Sequence, residues 1–101
     1  MTNIKVLQET YLVNWAKTTK RIFETHGYMY ESTRISSDKG FTLTPDPSIS
    51  VSQKDVKQWN AFFQSLIIEG IIKIARIRCN IIQYRFTSME WVNRILSEAK
   101  E

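Results

Sequence analysis

The chain has 101 residues, 43% of them hydrophobic and 12% aromatic, which supplies one core and leaves no length for a second. Fourteen Lys and Arg against ten Asp and Glu give a net charge of +4, a balance that favours a polyanionic partner. A single cysteine, Cys79, and a single histidine, His26, exclude an intramolecular disulfide and a typical structural zinc site. No apolar run approaches the roughly 18 residues of a membrane span. Glu9, Asn14 and Lys17 interrupt any signal-peptide core. The expectation is a soluble, cytoplasmic single domain over residues 1–101.

Residues 3–26 place Ile4, Leu7, Tyr11, Trp15, Ile22 and Phe23 at spacings of three, four and seven, with charged and polar residues between them. That is the period of an amphipathic helix, and Gly27 follows where a left-handed C-cap is needed. Residues 28–35, YMYESTRI, alternate partly and are rich in aromatic and β-branched types, so they predict a strand. SSDKG reads as a turn and GFTLT as the returning strand. In PDPSIS two prolines oppose regular structure.

The next helix starts at Ser50 or Ser52, where Ser52 and Asp55 have capping-box spacing, and it ends at Gly70. Val56, Trp59, Phe63, Leu66 and Ile67 form its buried stripe. Residues 71–77 and 81–86 are strands about a turn at Arg78, Cys79 and Asn80. Period-two alternation puts Ile72 and Ile74 with Ile82, Tyr84 and Phe86 toward the core, and Lys73, Gln83 and Arg85 away from it. Thr87 or Ser88 caps a last helix through Lys100. Its Trp91, Ile95 and Leu96 must dock on something, because so short a helix is marginal alone. They either complete the core of their own chain or pair with a second subunit, and a homodimer is the preferred expectation.

The helix SQKDVKQWNAFFQSLIIEG, its exit LIIEGIIKI and the hairpin IIKIARIRCNIIQYRF resemble the winged helix-turn-helix superfamily over the C-terminal half. The resemblance implies an α+β, winged-helix-like fold in the order helix, strand or strands, helix, β-hairpin, helix. The short helix that the family places before its recognition helix falls in GFTLTPDPSIS, where the prolines leave an extended segment or a variant. What the resemblance implies for function is double-stranded DNA binding in transcriptional or replication control; the small size adds the expectation of a phage, plasmid or other mobile-element protein.

On that reading Lys17, Arg21, Lys54 and Lys57 anchor phosphates, and Gln58, Gln64 and Ser65 read a groove. Lys73, Arg76, Arg78 and Arg85 form a cationic wing. Ordinary helix-surface composition accounts for the first two groups without a ligand, and edge-strand protection accounts for part of the third. No arginine lies on the helix. Enzymatic chemistry, a metal and a cofactor are not expected: three glycines form no phosphate loop, and no Ser or Cys has a recognisable His and carboxylate framework. The alternative is a protein-binding adapter or inhibitor, such as a small viral factor, docking through Tyr28, Tyr30 and Trp91. A third reading has Tyr28, Tyr30 and Phe41 stacking on a single strand.

Overall fold

The computed structural model describes residues 3–47 and 49–99. Its elements run α1 (Ile4–His26), β1 (Glu31–Ser37), β2 (Gly40–Leu43), β3 (Ser50–Ser52), a 3-10 turn (Gln53–Asp55), α2 (Val56–Ile68), β4 (Ile72–Arg78), β5 (Ile81–Phe86) and α3 (Met89–Ala99). The fold is α+β, three helices on one five-stranded sheet of order β3-β2-β1-β5-β4, with every pairing antiparallel. Ser48 and Lys100, which the predicted proline segment and last helix include, lie outside the described residues.

Local chemistry sets the helix ends. The Asn3 side chain accepts a hydrogen bond from the Lys5 N–H at 2.8 Å, and the Gly27 N–H donates to the Phe23 carbonyl at 2.9 Å. At the end of α2, Gly70 takes φ 76°. Its N–H reaches the Ile67 carbonyl at 3.0 Å, and the Ile71 N–H reaches Leu66 at 2.9 Å. That pair of bonds is a Schellman motif, sealed by the buried side chains of Leu66 and Ile71. Thr87 then ties the exit of α2 to the end of β5, its hydroxyl donating to the Gly70 carbonyl at 2.5 Å and its N–H to Ile71 at 3.0 Å. Ser88 accepts from the Trp91 N–H at 3.4 Å and starts α3.

One face of the sheet carries the core. Ser32 opposite Tyr84, Phe41 opposite Val51 and Ile72 opposite Phe86 are cross-strand pairs, and all six are buried. Above them sit Tyr11 and Trp15 of α1, Trp59, Phe63 and Leu66 of α2, and Val92 of α3. Phe63 stacks on Tyr84 at 4.5 Å, and Trp15 lies 4.4 Å from Phe86. The other face shows Glu31, Thr33, Thr42, Lys73, Gln83 and Arg85, none of them buried. The molecule therefore has two layers, helices over one side of the sheet and, among the described residues, no helix over the other.

Inside the core the Tyr11 hydroxyl bonds Ser32, and the Ser32 hydroxyl donates to the Thr44 carbonyl. Burial pushes the Tyr11 phenol well above the ordinary tyrosine range, more than the Ser32 bond lowers it.

Three departures from the sequence reading have local causes. The first strand begins at Glu31, not at residue 28, because its pairing with β5 starts opposite Arg85. The chain regains regular structure directly after the prolines: Thr44–Pro45 is cis, and β3 pairs with β2 from Ser50. This approach is close enough that a Cβ on Gly40 (φ 132°) would lie 1.8 Å from the Val51 carbonyl oxygen. The capping box does not form either, since Ser52 bonds the Asp55 carboxylate at 3.3 Å and a 3-10 turn precedes α2.

Candidate nucleic-acid interface

Lys73, Arg76, Arg78 and Arg85 all lie on the β4–β5 hairpin, with no acidic residue between Glu69 and Glu90. With those four set aside, ten Lys and Arg remain against the chain's ten Asp and Glu. The whole net positive charge of the protein thus resides on one hairpin. This hairpin is not a free-standing wing. β5 pairs with β1 from Arg85 opposite Glu31 to Ile81 opposite Ile35, so β4 is an edge of the sheet. Asn80 fastens the tip, its amide donating to the Ser36 carbonyl at 2.9 Å while its own carbonyl accepts from the Ser36 N–H at 2.8 Å. Asn80, which the sequence places in the turn beside Arg78, is a fastener.

A β-bulge decides where the arginines point. Ile74 pairs with Tyr84 and Arg76 with Gln83, leaving Ala75 as the extra residue. Unbroken alternation from Lys73 would have placed Ile77 on the bare face and Arg76 and Arg78 on the helical side. Beyond the bulge, Arg76 lies opposite Gln83, Ile77 opposite Ile82 and Arg78 opposite Ile81. Lys73, Arg76, Arg78 and Arg85 consequently share the bare face, and Ile77 joins Ile74 and Ile82 on the helical side. The helices cover only the base of that side. Ile72 and Phe86 are 1% exposed, whereas Ile74 is 44% and Ile77 63% exposed. Arg85 meets Glu31 at 4.0 Å, a loose surface pair of little energetic weight.

The α2 residues divide between two flanks. Gln58, Ala61, Phe62 and Ser65 line a shallow groove with Ile4, Lys5 and Gln8 of α1, where the Gln8 amide donates to the Gln58 carbonyl at 3.4 Å. Asn60 is on the opposite flank and accepts from Arg34 of β1 at 2.6 Å. Lys57 and Gln64, three residues before and four after Asn60, lie one turn away on that exposed side. Lys54 sits in the 3-10 turn, whose Gln53 amide donates to the Asp38 carbonyl at 2.8 Å. This bond and the Asn80–Ser36 pair bring the start of α2, the β1–β2 turn and the hairpin tip to one end of the sheet.

Lys54, Lys57, Gln64, Arg76 and Arg78 are thereby gathered around that end and the flank of α2 facing the hairpin. Lys73 and Arg85 are on the same bare face but at the base of the hairpin. Lys17 and Arg21 are nine to thirteen residues beyond Gln8. At 1.5 Å per residue that is about 13 to 20 Å along α1, away from α2's contact with Gln8. Two cations escaped the sequence reading. Lys39 is exposed in the turn SSDKG between β1 and β2, where a cation reaches solvent. Arg34 stands in phase with buried Ser32 on β1, and an arginine in the inward phase of a strand is the signal that marks it.

The aromatic alternatives are redistributed. Phe41 is 3% exposed, so the stacking surface of Tyr28, Tyr30 and Phe41 does not form; Tyr28 is open and Tyr30 packs against the core. Trp91, Ile95 and Leu96 also pack against the core of their own chain while staying partly exposed, which meets the docking requirement of α3. Among the described residues no helix is long and apolar enough to cross a membrane. Comparison with protein families, characterised proteins and solved structures found no match to this chain.

Proposed function

We propose that the protein binds duplex DNA with α2 and the β4–β5 hairpin, as a small winged-helix-like regulator of transcription or replication. The observation that carries this is the placement of the entire net charge of +4 on the hairpin that follows α2. A compact cationic element beside a polar helix face supplies phosphate attraction next to groups that can address base edges. The order of elements supports the reading: β4–β5 leaves α2 directly and joins the sheet through β1, with β2 and β3 where the family has its second helix. A two-fold pair through the partly exposed sides of Trp91, Ile95 and Leu96 would double a weak half-site interaction.

The test is fluorescence anisotropy with a random-sequence 30-mer, duplex and single-stranded, at low and moderate salt. Duplex affinity falls steeply with salt, and Arg76→Gln with Arg78→Gln weakens it about tenfold or more while thermal unfolding stays put. Unchanged binding by that double variant removes the hairpin from the mechanism. A second reading, a protein-binding adapter, is favoured by one observation: exposed Ile74 and Ile77 on the open edge strand β4 suit an added strand from a partner. It prevails if neither nucleic acid binds at low salt and a protein co-purifies.

A further inference from the structure

Arg34 lies in β1, the middle strand of the sheet, in a cross-strand row that runs Leu43, Arg34, Ile82, Ile77. Exposure along this row climbs from 1% at Leu43 to 63% at Ile77, with Arg34 and Ile82 partly buried between them, so the row opens to solvent only toward the hairpin edge. The flank of α2 carrying Lys57, Asn60 and Gln64 stands over Arg34, and the exposed Ile74 and Ile77 lie toward the hairpin edge, which leaves a cleft between them open to solvent.

The guanidinium on its floor is held but not neutralised. It lies 4.1 Å above the centre of the Phe41 ring, and one terminal nitrogen donates to the Asn60 side-chain oxygen at 2.6 Å. Its Nε is buried without a hydrogen-bond partner, and the ion pairs among the described residues, Arg85–Glu31 and Arg94–Glu98, do not involve it. A half-buried cation with one neutral acceptor and an aromatic face is short of negative charge. Because Asn60 spends its oxygen on Arg34, its amide N–H groups remain as donors beside the remaining guanidinium N–H groups. Two adjacent sets of donors and no acceptor call for an anion with several oxygens, and an arginine fork matches phosphate.

Resting on the DNA-binding reading above, we propose that Arg34 and Asn60 form a backbone-phosphate site on the floor of this cleft. The duplex therefore enters between α2 and the hairpin tip rather than lying on the bare face of the sheet. Lys57 and Gln64 stand above the phosphate on α2, Ile74 and Ile77 give the sugar edge an apolar wall, and Arg76 and Arg78 reach neighbouring phosphates around the edge strand. DNA is favoured over an acidic peptide because the net charge of the molecule lies on the adjoining hairpin.

The experiment measures anisotropy of the 30-mer duplex across a salt series for the full chain and for Arg34→Gln, Arg34→Lys and Asn60→Ala, with the Arg76/Arg78 double variant alongside. Thermal unfolding of each is followed in parallel. Arg34→Gln weakens binding five- to tenfold and lowers the slope of log affinity against log salt by about 0.9, the share of one phosphate. Arg34→Lys restores that slope without restoring full affinity, since it keeps the charge and loses the fork. Asn60→Ala weakens binding at unchanged slope and adds nothing to Arg34→Gln. A packing role alone would not move the salt slope. If Arg34→Gln keeps the wild-type affinity and slope while the hairpin double variant loses its own, the cleft site is overturned and DNA binding stands. If neither moves, the DNA-binding reading falls and the site with it. Should Arg34→Gln fail to fold, wild-type affinity in both Arg34→Lys and Asn60→Ala overturns the site.

Discussion

The two halves of the β4–β5 hairpin are built from the same alternation of isoleucine and cation, yet they do opposite work. At the base, Ile72, Tyr84 and Phe86 lie under Trp15 and Phe63 and belong to the core. Toward the tip, Ile74 just before the bulge at Ala75 and Ile77 beyond it look into an open cleft, and Arg76 and Arg78 occupy the bare face. Apolar residues in a strand are thus no measure of burial: what covers them is set by the length of the helices above. The opposite edge of the sheet sharpens the contrast. β3 has three residues and is protected by shortness alone, while seven-residue β4 needs a bulge and charge to avoid pairing with another edge.

The contrast can be broken at its base. Phe86→Ala empties a space beside Trp15 and is expected to cost about 3 to 5 kcal/mol of stability, read by urea unfolding. A loss as small as that of a surface change would mean that the base half is not core. Tyr11, above Ser32 in the same half, gives a smaller signal. Its pKa is raised by folding, so the native state keeps the phenol proton while the unfolded chain releases it near pH 10. The contribution is whole below about pH 10 and is lost as the pH rises above it. Tyr11→Phe should cost about 1 kcal/mol at neutral pH and lose less stability than wild type between about pH 10 and 11. Stability curves that run parallel over that range would refute the assignment. At the tip, Ile77→Ser should change stability by no more than about 0.5 kcal/mol. A larger loss would show that the cleft is closed in solution.

Much of the architecture was legible along the chain because its determinants are local. Asn3 and Gly27 bound α1, Gly70 ends α2, and the stripe of Trp59, Phe63 and Leu66 faces inward at the period a helix requires. The candidate site was legible only in part. Gln58 and Ser65, exposed positions by periodicity, line a groove because α1 happens to pass beside them. Lys17 and Arg21 read as partners of Lys54 and Lys57, but α1 carries them away from α2.

Composition, caps and periodicity by themselves determined three helices, the positions of β2, β4 and β5, a basic hairpin and a core centred on Trp15, Trp59 and Phe63, since each depends on residues within a few positions of one another. Tertiary structure alone decided the strand order, the bulge that sends Arg76 and Arg78 to the bare face, and the meeting of Arg34 with Asn60 across 26 positions of sequence. A one-residue shift in register reverses every side chain beyond it, and nothing in the alternation of IIKIARIR announces where that shift falls. Pairing with β5 and β1 places it, and those partners come together only when the sheet is assembled.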